Sequence, residues 1–216
     1  MNKEQMNVHK ALSELKILDA RISNEIRAQQ FVVANKHSNT KIGGETIANF
    51  AKNAEDQLKS IKTLINRRNA IKRAVTRSNA STMVSIGGKD YTVAEAIDMK
   101  TVGIEHIKVL CGTIDIQYQN ARSQADKNNG DRLDSRADDY IKSLYQGADM
   151  KNMADEIKKV RDDFIAAQTM EIVDPIDALK EVQRLKNEID AFMSEVDSAL
   201  STSNAVTVLE IEYETF

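Results

Sequence analysis

The sequence predicts a mainly α protein: long antiparallel, coiled-coil-like helical hairpins with a small β-hairpin and a C-terminal strand. Three observations carry this reading. Apolar residues recur every three or four positions over most of the 216 residues, the spacing of one helix face. The chain has a single proline, no tryptophan, 5% aromatic and 29% charged residues, a balance that suits amphipathic helices better than a sheet sandwich. Strand-like alternation is confined to two short stretches, one around Val84 and one at the C-terminus.

The first helix is read from Glu4 to Val33, on the spacing of Val8, Leu12, Leu15, Ile22 and Ile26, with Asp19 taking one position of the seam. Asn35 to Gly44 is a polar loop ending in a glycine pair that a helix does not cross easily. A second helix from about Glu45 to Asn79 shows Phe50, Ala54, Leu58, Ile61, Leu64, Ile65, Ile71 and Val75 on one side, so the two helices form an antiparallel hairpin. The period then changes. Val84 and Ile86 alternate before Gly87-Gly88, a pair suited to a tight turn with positive φ. Thr92-Val-Ala-Glu95 has the spacing of a capping box and starts a third helix. Its seam runs through Ile97, Ile104, Ile107, Cys111, Ile114, Tyr118, Ala121 and Ala125, to an end near Asn128-Asn-Gly-Asp131.

Two shorter helices follow, Leu133 to Gln146 and Met150 to Gln168, divided by Gly147. Asp174-Pro175 reads as the cap and first position of a long helix, with Val182, Leu185, Ile189, Phe192, Val196 and Ala199 as its seam. The β-branched, alternating run from Ala205 to Tyr213 is a strand. Ser78-Asn79-Ala80 and Ser203-Asn204-Ala205 close two helices just before strands, which suggests that both helices deliver strands to one small sheet. The organisation expected is a single elongated domain: an N-terminal helical hairpin (1–81), a β-hairpin (82–91), central helices (92–173), and a long helix with its strand (174–216).

Composition and local signals narrow the function class. Met1 to Lys10 lacks the apolar core of a signal peptide and no stretch approaches the ~18 apolar residues of a membrane span, so the expectation is a soluble, cytoplasmic protein without a membrane partner. One cysteine, Cys111, excludes an intramolecular disulfide framework and a multi-cysteine zinc site. His9, His37 and His106 are far apart and none has a second ligand at helical spacing, so no metal is assigned. Asp126 to Asp131 departs from a calcium loop, its glycine one place early and Ala137 where the loop needs Glu. No phosphate loop and no nucleophile elbow appears. The dense carboxylates Asp134, Asp138, Asp139 and Asp155, Glu156, Asp162, Asp163 interleave with Lys and Arg and read as solvated faces. No catalytic residue and no cofactor is assigned.

The most informative feature is charge. Of the 30 Lys and Arg residues, eight (Lys59, Lys62, Arg67, Arg68, Lys72, Arg73, Arg77 and Lys89) fall between Gln57 and Lys89, where no Asp or Glu occurs; 22 basic residues face 33 acidic ones in the rest. On a helical wheel Lys59, Lys62, Arg73 and Arg77 gather on a polar face, whereas Arg68 and Lys72 fall in the arc of Ile61, Ile65 and Val75. Charges in such an arc need partners, and Asp19 or other carboxylates can supply them. Alternatively Arg67, Arg68, Lys72, Arg73 and Arg77, with Lys89 and Tyr91 on the adjoining hairpin, line a groove for an anion, since the guanidinium fork suits phosphate. Duplex DNA is disfavoured by the negative overall charge and scarce aromatics.

Asn66-Arg67-Arg68-Asn69, Ser78-Asn79-Ala80, Gly88-Lys89-Asp90-Tyr91-Thr92-Val93-Ala94-Glu95-Ala96 and the closing helix and strand resemble a group of small helical proteins of bacteria and phages, some of them termed septicolysin-like. The resemblance covers about Ile61 to Ile97 and the last forty residues, with Gly130 to Val173 as an addition. It implies helical hairpins edged by short strands and carries no catalytic residues. The function expected is a non-enzymatic helical homo-oligomer acting as scaffold or adaptor. The alternative is an oligomeric binding protein that captures a phosphate or nucleotide-type anion, or an acidic protein, through the basic segment, as a phage protein sequestering a nucleotide signal would.

Overall fold

The computed structural model describes residues 1–147 and 153–216, and 71% of it is helical. The predicted helix start at Met150 lies outside the described residues. Contacts divide the chain into two compact units, Met1–Thr101 with Ala191–Phe216, and Val102–Asp190.

The first unit is closed by its strands. Strand β1 (Asn2–Asn7) pairs antiparallel with β6 (Val208–Tyr213), with Met6 opposite Leu209 and Glu4 opposite Ile211. Helix α1 (Val8–Ala28) begins directly after β1, where the Asn7 side chain accepts a hydrogen bond from the Lys10 amide at 2.9 Å. The predicted helix from Glu4 to Val33 is therefore too long at both ends. Residues 4–7 are taken by the strand partner and the Asn7 cap, and Gln29 leaves the helix in extended backbone. Helix α2 (Ile47–Ser81) packs against α1, and the two-residue strands β2 (Lys41–Ile42) and β3 (Glu45–Thr46), paired antiparallel, precede it. Met6, Val8, Ala11, Leu15 and Leu18 meet Ala70, Ile71, Val75, Leu209 and Ile211 in one core.

Strands β4 (Met83–Ile86) and β5 (Lys89–Thr92) form the predicted hairpin. Gly87 and Gly88 have φ of +58° and +74°, conformations in which a side chain is strained. Gly87 is also tight: a Cβ there would lie 3.3 Å from that of Ala191, and its amide donates to Glu195 at 2.7 Å. The β4–β5 and β1–β6 pairs are separate sheets, so the two Ser-Asn-Ala helix ends do not feed one sheet. The nearest free partner for β6 is β1, a strand that helical spacing had concealed. Helix α3 (Val93–Asp98) starts at the Thr92–Glu95 capping box and runs into a π-helical turn, Met99–Gly103, which interrupts the predicted continuous helix.

In the second unit, α4 (Ile104–Asn128) sets Ile107, Cys111 and Ile114 against Val182, Leu185 and Ile189 of α7 (Ala178–Val206). Helix α5 (Asp131–Leu144) packs on α6 (Ala154–Gln168), where Tyr140 stacks on Phe164 with centroids 4.7 Å apart. Arg161 bridges Asp134 and Asp138 at 2.8 and 2.9 Å, so these carboxylates tie two helices together. Helix α7 starts at Ala178, not at Pro175: Pro175 and Ile176 form a turn, Asp177 takes φ +53°, and Asp174 accepts from the Ala178 amide at 2.9 Å. At its far end α7 continues through Val206, so the terminal strand begins later than predicted.

Two outcomes follow. Ile211 is fully buried in the core, and Ile211→Ala should lower the unfolding free energy by about 2–5 kcal/mol, read by urea denaturation. The Glu95 carboxylate accepts from the Thr92 amide and hydroxyl, which hold its pKa below the ordinary 4.5. The cap is at full strength above that ordinary value and is lost as pH falls through the depressed one. NMR titration of Glu95 should show the depression, and Thr92→Ala should reduce it.

Candidate functional site

Helix α2 presents the basic segment in successive turns, and packing sorts its cations by direction. Arg67 faces the core side. Its Nε and Nη2 donate to the two oxygens of Glu4 at 2.8 and 2.9 Å, its Nη1 lies 2.6 Å from Glu14, and its guanidinium stands over the Tyr213 ring at 5.8 Å. The Glu4 hydrogen bond first, then Glu14, raise its pKa further above an already high value. Arg68 pairs with Asp19 of α1 at 2.8 Å, the seam aspartate that the sequence offered as its counter-ion. Lys62 sits over the Phe216 ring at 5.8 Å. These side chains join α2 to both α1 and the segment after β6, where the Phe216 amide also donates to Thr63 at 3.1 Å.

Lys72, Arg73 and Arg77 are exposed. For Lys72 this corrects the wheel assignment: the arc that holds Ile71 and Val75 against α1 and β6 leaves position 72 outside. Arg73 and Arg77 line a groove of about 450 Å³ beside β6, together with Ala70, Ala74, Glu210 and Glu212. Among the described residues neither arginine has an ion-pair partner within 4.0 Å. Lys89 and Tyr91 lie on β5, where the Tyr91 ring meets Phe192 edge-on at 5.7 Å. The predicted set of seven thus separates into two structural counter-ions (Arg67, Arg68), two groove arginines (Arg73, Arg77), one outward lysine (Lys72) and two hairpin residues (Lys89, Tyr91).

A second surface was missed. Helix α4 buries Ile104, Cys111 and Ala125 on one face, while Val102, Val109 and Ile116 are 48%, 60% and 63% exposed, with Leu110 at 51%. At 100° per residue Val109 and Ile116 fall within about 20° of one another on α4, opposite the buried face, and Val102 precedes them in the π-helical turn. Their seven-residue spacing was the available signal, masked because the inner seam of the same helix is the stronger pattern. Gly112 lies beside this stripe, and a Cβ there would meet nothing within 4 Å.

Among the described residues no group of three or more His, Cys, Asp or Glu side chains could hold a metal ion, and no helix is long and apolar enough to cross a membrane. No family model, curated protein or solved structure matches the chain.

The sorting of cations predicts unequal mutational costs. Arg67→Ala strands Glu4 and Glu14 and should cost about 1–2 kcal/mol after allowance for solvent screening. Arg73→Ala and Arg77→Ala should each stay within about 0.5 kcal/mol of wild type, by thermal or urea unfolding.

Proposed function

We propose that this protein is a self-associating helical scaffold or adaptor, in which a second copy of the chain covers the outer face of α4. The observation that carries the proposal is the run of exposed Val109 and Ile116 on α4, a helix whose opposite face is already occupied, continued by exposed Val102 in the π-helical turn before it. A helix apolar on two opposed faces has two partners to find, and a seven-residue apolar repeat suits another helix. The stripe is symmetric about Val109. Two copies crossing antiparallel on a two-fold axis place Val102 against Ile116, Val109 against itself and Leu110 beside it, as an isologous interface requires. In that register Glu105 falls beside Gly112 of the other copy, so no like charges meet, and the glycine permits close approach of the backbones.

Sedimentation or light scattering on the full chain tests this. Wild type should associate, and Val109→Glu with Ile116→Glu should weaken association at least about tenfold while leaving the melting of the monomer fold intact, since neither side chain is in its core. A wild type that stays monomeric at about 100 µM would remove the proposal.

A further inference from the structure

The groove beside β6 has chemistry of its own, confined to the first unit and independent of association through α4. Ala70, Arg73, Ala74 and Arg77 are successive members of one stripe of α2, at i, i+3, i+4 and i+7. The two alanines keep the floor low and the two arginines rise beside it. Across the groove, Glu210 and Glu212 stand on the outward side of β6, alternating with the buried Leu209 and Ile211. Each carboxylate is steadied by its cross-strand neighbour on β1: Gln5 donates to Glu210 at 3.2 Å, and Lys3 pairs with Glu212. Two arginines, Arg73 and Arg77, thus line the groove with two carboxylates and Met1, and because Lys3, outside it, already pairs with Glu212, these side chains together carry one positive charge in excess.

We infer that this groove is a binding site for a small molecule of nucleotide type, a phosphate joined to a group bearing N–H donors. Arg73 and Arg77 are one helical turn apart, a spacing at which like charges repel and at which two guanidinium forks can close on a single phosphate. The phosphate supplies the missing negative charge and relieves the repulsion. Glu210 and Glu212 retain acceptor capacity on the opposite wall, which a bare phosphate leaves unused and an amino group fills. The volume of about 450 Å³ falls within the range of small-molecule sites, roughly 300–1,000 Å³.

Calorimetric titration of the intact protein at low salt with adenosine 5′-monophosphate, inorganic phosphate and adenosine separates the parts of this inference. The monophosphate should bind saturably and at least about tenfold more tightly than phosphate, and adenosine alone should bind more weakly than the monophosphate by a similar factor. Arg73→Gln with Arg77→Gln should reduce monophosphate affinity about tenfold or more, and Glu210→Gln with Glu212→Gln should bring it down to that of phosphate. Lys72→Gln removes an exposed cation of the same helix outside the groove and should change affinity less than about twofold. Circular dichroism melts of each variant establish that the fold is retained. No saturable binding of the monophosphate, equal affinity for phosphate, or an equal loss in Lys72→Gln would each overturn the inference. Because every readout is binding by the first unit, these failures are distinct from failure of self-association.

Discussion

The pairing of β1 with β6 is the constraint on which the first unit depends. It places Leu209, Ile211 and Met6 on one face of a two-stranded ribbon, and that face is too apolar to be left in water. Two strands alone are marginal, so the ribbon must lie on something. It lies on α1 and α2, where the same residues complete the core with Val8, Ala11, Leu15, Ala70, Ile71 and Val75. The Val8 amide continues the ladder to the Thr207 carbonyl at 3.0 Å, which couples the start of α1 to the end of α7 at backbone level.

Once the ribbon is seated on α2, the fate of each basic residue follows from its direction. Arg67 meets Glu4 and Glu14, and Arg68 meets Asp19, partners brought by β1 and α1. Such partly exposed pairs add modestly to stability, yet removing one side leaves carboxylates poorly solvated, so they act more as register pins than as a source of net energy. Arg73 and Arg77 lie further along the helix beside the outward carboxylates of β6. The strand alternation that buries Leu209 and Ile211 also sets Glu210 and Glu212 on the outward side of β6, where they line the groove.

The second unit rests on a different principle. Helix α4 is held by α7 through Cys111, Val182 and Leu185, and α5 is held to α6 by the Tyr140–Phe164 stack and the Arg161 fork. Carboxylates that looked like an undifferentiated solvated face include two that grip an arginine across the helix pair. The outer stripe of α4 has no comparable cover within its unit.

Short-range chemistry was legible in the sequence: the Gly87-Gly88 turn, the Thr92–Glu95 capping box, the course of α2 and the charge polarity between Gln57 and Lys89. Each depends on residues within a few positions of one another, so local steric and hydrogen-bonding rules suffice. The site was legible only in part, as a set of basic residues on α2 with Lys89 and Tyr91 on the hairpin, and with Asp19 or other carboxylates as counter-ions. What tertiary structure decided was pairing over long separations. Residues 2–7 follow a strand rather than a helix because Val208–Tyr213 arrives beside them, and a propensity of a few tenths of a kcal/mol per residue yields to a ladder of backbone hydrogen bonds. The same arrival separates Arg67, enclosed by carboxylates, from Arg73 and Arg77, left open beside Glu210 and Glu212, because the sequence records which side chains are charged while their enclosure depends on what folds back across them.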